Sequence, residues 1–180
     1  MGNSRDHALV ERCKKGDRQA LETLVREYQR PVYNAAYRIL GNPDDAADAT
    51  QAAFLKAFEN LESYDSNYKF FSWIYRIAIN ESINQSKRAS REQLLDDDEI
   101  SSELGPERDA EAGDLSRGIQ GGLMELSEDY RTVIVLRHFS DFSYRQISQV
   151  LQIPEKTVKS RLYSARQLMK DHLLEIGIRL

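Results

Sequence analysis

An all-α chain of two small helical domains is what this sequence predicts, and three observations carry that prediction. Apolar residues recur at helical spacing in both halves, no segment shows the alternation of a half-buried strand, and an acidic stretch bearing Gly105, Pro106 and Gly113 separates the halves. At 180 residues the chain has room for one ordinary domain or two small ones. The expected organisation is a helical domain at 1–91, an acidic flexible linker at 92–115, and a second helical domain at 116–180 with a helix-turn-helix.

The elements follow in order. The N-terminus enters a charged amphipathic helix directly, with no signal-peptide core. Asp17 is placed to cap a helix with apolar positions Leu21, Leu24, Val25 and Tyr28, and the period continues past Pro31 through Val32, Ala36, Ile39 and Leu40 to Gly41, a C′ glycine. Asn42-Pro43-Asp44-Asp45 supplies a cap, a proline at N1 and two first-turn acids for the next helix, which carries Phe54, Phe58 and Leu61 on one stripe. A turn at 64–67 precedes a helix with Phe70, Ile74 and Ile77 on its apolar side. Beyond the linker, Ser127 is expected to cap a helix carrying Tyr130, Val133, Ile134 and Leu136. Ser143 to Gln146 matches a capping box, with Ile147, Val150 and Leu151 at core spacing, and Pro154 is expected at N1 of a last long helix. Two helices about three residues apart have helix-turn-helix spacing.

Charge is unevenly spread. The segment 92–114 holds ten acids against Arg108, a net of −9; the whole chain carries −4, so the remainder carries +5. A modestly acidic total therefore does not exclude a nucleic-acid partner, because distribution matters more than the sum. No apolar run approaches the roughly 20 residues a membrane span requires, so no membrane insertion is expected. Cys13 is the only cysteine, which excludes an internal disulfide and fits a cytoplasmic location. His7, His138 and His172 are scattered, so neither a metal site nor a cofactor is expected.

On the last helix, Val158, Leu162, Ala165 and Met169 share a narrow sector that must face the core. Opposite lie Lys156, Ser160, Tyr163, Gln167 and Lys170, flanked by Lys159 and Arg166, a mixture of cations for phosphates and short polar groups for base edges. A solvated amphipathic helix would look similar; the capped preceding helix and tight turn favour DNA. Arg161, nearer the core boundary, is expected to serve a phosphate or an internal acid. Six aromatics (Tyr64, Tyr68, Phe70, Phe71, Trp73, Tyr75) crowd the segment before Arg76, Lys87, Arg88 and Arg91, a composition suited to stacking unpaired bases. Most of these rings are expected to build core, with one or two left for DNA. Asn80, Asn84, Lys87 and Arg88 are spaced along the helix for duplex contacts.

These segments carry a family resemblance. FFSWIYRIAINESINQSKR (70–88) resembles the F-x-x-W-[LI]-Y-R-I-A-x-N segment of extracytoplasmic-function sigma factors, which melts and reads the −10 promoter element. LSEDYRTVIVLRHFSDFSYRQISQVLQIPEKTVKSRLYSAR (126–166) resembles the family segment that reads the −35 element. The resemblance implies core RNA polymerase and promoter DNA as partners, a loop at 61–71 that captures an unstacked −10 base, and a linker threading the polymerase's RNA exit path. The −10 candidates are then Tyr64, Asn67, Tyr68, Lys69, Trp73, Asn80, Asn84, Lys87 and Arg88, and the −35 candidates Lys156, Thr157, Lys159, Ser160, Tyr163 and Gln167.

Two departures stand out. Gln152 occupies the turn position where the family usually has Gly; a left-handed residue there costs about 1 kcal/mol without glycine. The segment 44–58 resembles the helix that grips the polymerase clamp, with Asp45, Asp48, Gln51 and Phe54 as the polymerase-binding candidates, but Ala47 and Ala52 replace two acids. Thr50 sits among them. A phosphate there adds about −1.5 to −2 charges, close to what the alanines remove, which makes Thr50 a candidate phosphorylation site and a Ser/Thr kinase a candidate partner. An anti-sigma factor is a second candidate partner, on the resemblance alone. The competing reading is a helix-turn-helix regulator with an N-terminal signal-sensing domain. It leaves the aromatic and basic helix without a purpose. An enzyme is not expected and no catalytic residue is assigned: there is no glycine-rich phosphate loop, no Cys/His metal spacing and no nucleophile elbow.

Overall fold

A computed structural model describes residues 2–93 and 110–178. Among these the chain forms eight α-helices and no strand: α1 (Gly2–Lys14), α2 (Arg18–Leu40), α3 (Pro43–Glu59), α4 (Phe70–Gln93), α5 (Ala110–Glu125), α6 (Glu128–Ile134), α7 (Tyr144–Leu151) and α8 (Glu155–Glu175). A 3₁₀ turn (Leu61–Ser63) follows α3 and a π turn (Val135–Phe139) follows α6.

Caps fix most boundaries. The Asp17 carboxylate accepts from the Gln19 and Ala20 backbone N–H groups and from Arg12 Nε at 2.9 Å, joining α1 to α2. The Arg12 hydrogen bond, and after it the Ala20 backbone, hold Asp17 below the usual carboxylate range. Gly41 ends α2 in the left-handed region, and the Asn42 side chain accepts from Asp44 and Asp45 N–H to start α3 at Pro43. Helix α2 runs through Pro31, whose carbonyl accepts from the Tyr75 hydroxyl of α4.

Four expectations are corrected. Ser127 stands at the N-cap of α6 without a side-chain hydrogen bond. Instead the Arg131 guanidinium reaches back to the Met124 and Leu126 carbonyls and holds the α5–α6 corner. The helical run there changes to a π turn at Val135, before Leu136. Pro154 is the N-cap of α8 and not its first helical residue, a shift of one position. Finally, α4 continues to Gln93 and α5 begins at Ala110, so both ends of 92–115 are helical. Within α5 a Cβ at Gly118 would meet Ile176 at 2.6 Å and one at Gly122 would meet His172 at 2.7 Å, so these two glycines admit the end of α8.

Helices α2, α3 and α4 pack around Leu24, Val32, Ile39, Phe70, Ile74 and Ile79, all fully buried; each such side chain contributes about 1.5–3 kcal/mol. Buried Ala46, Ala49, Ala53 and Ala57 let α3 lie close against its neighbours. Around α6 to α8 a second set, Val133, Leu136, Ile147, Val158 and Leu162, is equally dry. The two sets form one continuous apolar cluster because Phe142 bridges them. Its ring stacks on Phe71 at 4.7 Å and lies 5.0 Å from Tyr75.

Candidate nucleic-acid interface

The helix-turn-helix that carries the −35 candidates is built by α7 and α8. Ser143 and Gln146 make the capping box reciprocally, so α7 starts at a fixed point. It ends at Gln152, left-handed at φ 57° and ψ 39°, and three residues later α8 begins. Ile147, Val150, Val158, Leu162 and Ala165 lock the two helices together. That leaves Lys156, Lys159, Ser160, Tyr163, Gln167 and Lys170 exposed on the far face of α8, with Tyr163 68% accessible and Thr157 half-buried. Arg161 turns inward, its guanidinium 2.6 Å from Asp129. Arg166 donates to His138 Nε2 at 3.1 Å; burial, with the positive charges of Arg166 and Arg137, lowers the His138 pKa.

The −10 candidates lie at the end of the 3₁₀ turn, on the following loop and on α4. Tyr64 is buried against Phe70 and Trp73, and its hydroxyl donates to the Tyr68 carbonyl at 2.7 Å. It therefore shapes the loop and does not offer a face to a base. Asp65 accepts from Asn67 N–H, which presents Asn67, Tyr68 and Lys69 outward, Tyr68 being 49% exposed. Of the six aromatics, Tyr68 alone is an open stacking surface. Phe70 and Tyr75 are fully buried, while Phe71 and Trp73 are half-buried. Asn80, Asn84 and Arg88 are exposed and share one stripe of α4 at four-residue spacing. Lys87 is also exposed and pairs with Glu128 at 3.7 Å.

Arg76, named above among the cations but not as a −10 candidate, joins Asn60, Ser63, Tyr68, Trp73 and Asn80 around a cleft of about 550 Å³. Arg76 occupies the R of the W-[LI]-Y-R pattern, a signal that was available. Beneath the loop, buried Asp6 accepts from the Tyr28 hydroxyl at 2.6 Å. Burial first, then that bond and the Asp6 charge, push the Tyr28 phenol well above its usual range.

On α3, Asp48, Gln51 and Ala47 are exposed and Ala52 is half-exposed, so these two alanines face outward, unlike the four that pack. Phe54 is nearly buried, and Leu55 beside it is open. Asp45 is drawn to the other margin, where it accepts from Gln85 Nε2 of α4 at 2.9 Å. The reading of Thr50 as the middle of this surface is corrected. It is 5% exposed and its hydroxyl donates to the Ala46 carbonyl at 2.6 Å. It lines a groove of about 790 Å³ between α2 and α3, together with Arg26, Arg30, Tyr33 and Phe54. The acidic run 94–109 of the linker, and the path expected for it, lie outside the described residues.

An all-helical protein that couples an aromatic and basic helix to a helix-turn-helix defines a two-part DNA reader, and the Sigma-70 region 2 and Sigma-70 region 4 models match residues 24–92 and 117–169. The *Bacillus subtilis* ECF RNA polymerase sigma factor SigW is 34% identical over 179 residues, covering 93% of this chain and 96% of its own. The *Haemophilus influenzae* ECF sigma-E factor is 32% identical, covering 93% and 95%. The chain belongs to the extracytoplasmic-function sigma factors of RNA polymerase. Its fold is similar to that of the *Bartonella quintana* sigma factor RpoE, solved in complex with the anti-sigma factor NepR (TM-score 0.75, 22% identity, 85% of this chain and 96% of that one). CnrH, solved with the cytosolic domain of CnrY, is also similar (TM-score 0.72, 26% identity, 96% and 99%). The protein directs transcription initiation by binding, and is not an enzyme. No helix among the described residues is long and apolar enough to cross a membrane.

Proposed function

We propose that the outward face of α3, with Asp48, Gln51 and Leu55, docks on core RNA polymerase, that Tyr68 and the Asn80–Asn84–Arg88 stripe engage the −10 element, and that Lys156, Lys159, Ser160, Tyr163 and Gln167 of α8 engage the −35 element. The observation carrying this is the segregation of α8: Val158, Leu162 and Ala165 of its apolar side are fully buried and Met169 half-buried, while every polar candidate except half-buried Thr157 is exposed, behind a three-residue turn. A helix so presented fits a major groove, and cations beside short polar groups serve phosphates and base edges. The test is reconstituted transcription: the purified chain added to core polymerase yields a defined start site on a responsive promoter, and Tyr163→Ala with Gln167→Ala abolishes it. Unchanged transcription by the double variant overturns the −35 assignment.

The finer reading adds control by a Ser/Thr kinase at Thr50. Ala47 and Ala52 leave the outward face short of acid, and Arg26 and Arg30 line the Thr50 groove, where a phosphate would find guanidinium partners. Modification requires the hydroxyl to leave the Ala46 carbonyl and the first turns of α3 to open. Thr50→Val keeps the packing shape and removes the acceptor oxygen; the reading expects it to lose promoter activity in cells while retaining the fold. Full activity of Thr50→Val contradicts it. An anti-sigma factor is the other candidate regulator, supported by the complexes in which the two structural relatives were solved.

A further inference from the structure

Arg166 of α8 and His138 of the π turn before α7 meet at the edge of the helix-turn-helix, and neither is among the −35 candidates. Arg166 is exposed and lies on one stripe of α8 with exposed Lys159, Tyr163 and Lys170, spaced four, three and four residues apart. It therefore belongs to the side of α8 that the proposed function turns toward DNA. Its Nε–H donates to His138 Nε2 at 3.1 Å. Nε2 can accept only when the ring is neutral and its proton sits on Nδ1. Burial first, then the charges of Arg166 and Arg137, lower the His138 pKa, which favours that neutral form near pH 7. Arg137 beside it is fixed as well, donating to the Phe142 carbonyl at 3.0 Å and lying 5.7 Å over the Tyr144 ring.

The two arginines of α8 are held in opposite ways. Arg161, on the other flank, meets the Asp129 carboxylate at 2.6 Å, so its charge is cancelled inside the protein. Arg166 is held by a neutral imidazole, which fixes the guanidinium and leaves its positive charge whole. With Nε engaged, the four N–H bonds of the two Nη atoms remain in one plane, the fork that matches two oxygens of a phosphate. We propose that His138 is a positioning residue for DNA binding, holding Arg166 at the margin of the α8 face so that its Nη fork takes one backbone phosphate. This rests on the −35 reading of α8 and adds to it a phosphate contact together with the residue that supports it. Arg166 supplies affinity without sequence preference, since a phosphate carries no base identity. His138 supplies geometry, sparing the cost of fixing a long side chain at the moment of binding.

The first measurement uses the full chain without DNA. Only three histidines are present, His7, His138 and His172, so long-range proton–nitrogen correlation NMR of the imidazoles assigns each tautomer, with His138→Gln identifying the signal. His138 is expected as the Nδ1–H tautomer in the wild type and as the Nε2–H tautomer in Arg166→Ala. The second is fluorescence anisotropy with a responsive-promoter duplex and a scrambled duplex across salt. It compares the wild type with Arg166→Ala, His138→Ala, His138→Gln and the double alanine variant. Both side chains lie at the surface, so neither replacement opens a cavity, and circular dichroism checks the fold. Arg166→Ala should weaken both duplexes alike and reduce the slope of log K against log salt by about 1. His138→Ala should weaken binding about two- to tenfold at an unchanged slope, because the cation remains but must be immobilised. His138→Gln, whose Oε1 can accept from Arg166, should restore affinity, and the double variant should bind no more weakly than Arg166→Ala. An Nε2–H tautomer in the wild type, wild-type affinity in His138→Ala, or losses that add in full overturns the positioning role while duplex binding stands. A wild-type chain that binds no duplex at low salt, with His138 in the Nδ1–H form, overturns the −35 reading and the phosphate role with it.

Discussion

Replacing Gln152 by glycine is expected to stabilise the protein. The residue sits at φ 57° and ψ 39° between α7 and α8, where a Cβ crowds the following carbonyl and costs roughly 1–2 kcal/mol. Glycine removes that crowding but gives the unfolded chain more freedom, which returns about 0.5–1 kcal/mol. The side chain's one polar contact, Nε2 to the Gln149 carbonyl at 3.5 Å, is long and exposed, so its loss changes little. The net expectation is a gain of about 0.5–1 kcal/mol, or roughly 1–4 °C in Tm for a chain of this size. Urea unfolding followed by circular dichroism should show a higher midpoint with an unchanged slope. Gln152→Ala, which keeps the Cβ, is the control and should give no gain. A destabilised Gln152→Gly, or an equal gain from alanine, would refute the idea that left-handed strain is what this position carries.

Three further outcomes follow from the geometry. Asp17 has a folded-state pKa below its unfolded value, chiefly through Arg12, so its charge contributes stability above about pH 4 that fades as pH falls through the folded pKa. Asn can still cap, so the stability difference between wild type and Asp17→Asn should shrink towards pH 2, as followed by urea midpoints across pH. Tyr28→Phe leaves buried Asp6, whose Oδ1 already has no partner, without its remaining hydrogen bond; it should destabilise by about 1–3 kcal/mol, with part recovered in the double variant Tyr28→Phe/Asp6→Ala. Lys159→Ala, on the exposed face of α8, should weaken duplex binding at all sequences and reduce the slope of log K against log salt by about 1 in fluorescence anisotropy.

The helix-turn-helix and α4 were legible because their signals are local. Ser143 and Gln146 announce a helix start, and the period of Val158, Leu162 and Ala165 says which way α8 faces, so its outward side follows by subtraction. The aromatic segment was legible only in outline. Periodicity cannot tell which ring is core, and it is the Tyr64 hydroxyl bond to the Tyr68 carbonyl that sends one tyrosine in and the next out. The start of α5 was hidden in the acidic stretch, and the purpose of Gly118 and Gly122 shows only when the end of α8 lies against them. Thr50 was misplaced for a related reason. Its neighbours in sequence set it among the outward residues of α3, but whether such a position is open depends on how closely α2 approaches, which the buried alanines decide. The docking of Phe142 on Phe71 joins residues some seventy positions apart and leaves no trace in local pattern.

The central claim is that α3, α4 and α8 together place core RNA polymerase on a promoter. Its most direct measurement is run-off transcription with core enzyme, a responsive promoter and the purified chain, alongside gel-filtration of the chain with core enzyme. A stable complex and a single start site that depends on the chain are the predicted result. If core enzyme neither retains the chain at low salt nor initiates with it, while the chain still binds duplex DNA sequence-specifically, the protein is a stand-alone helix-turn-helix regulator and the claim is wrong.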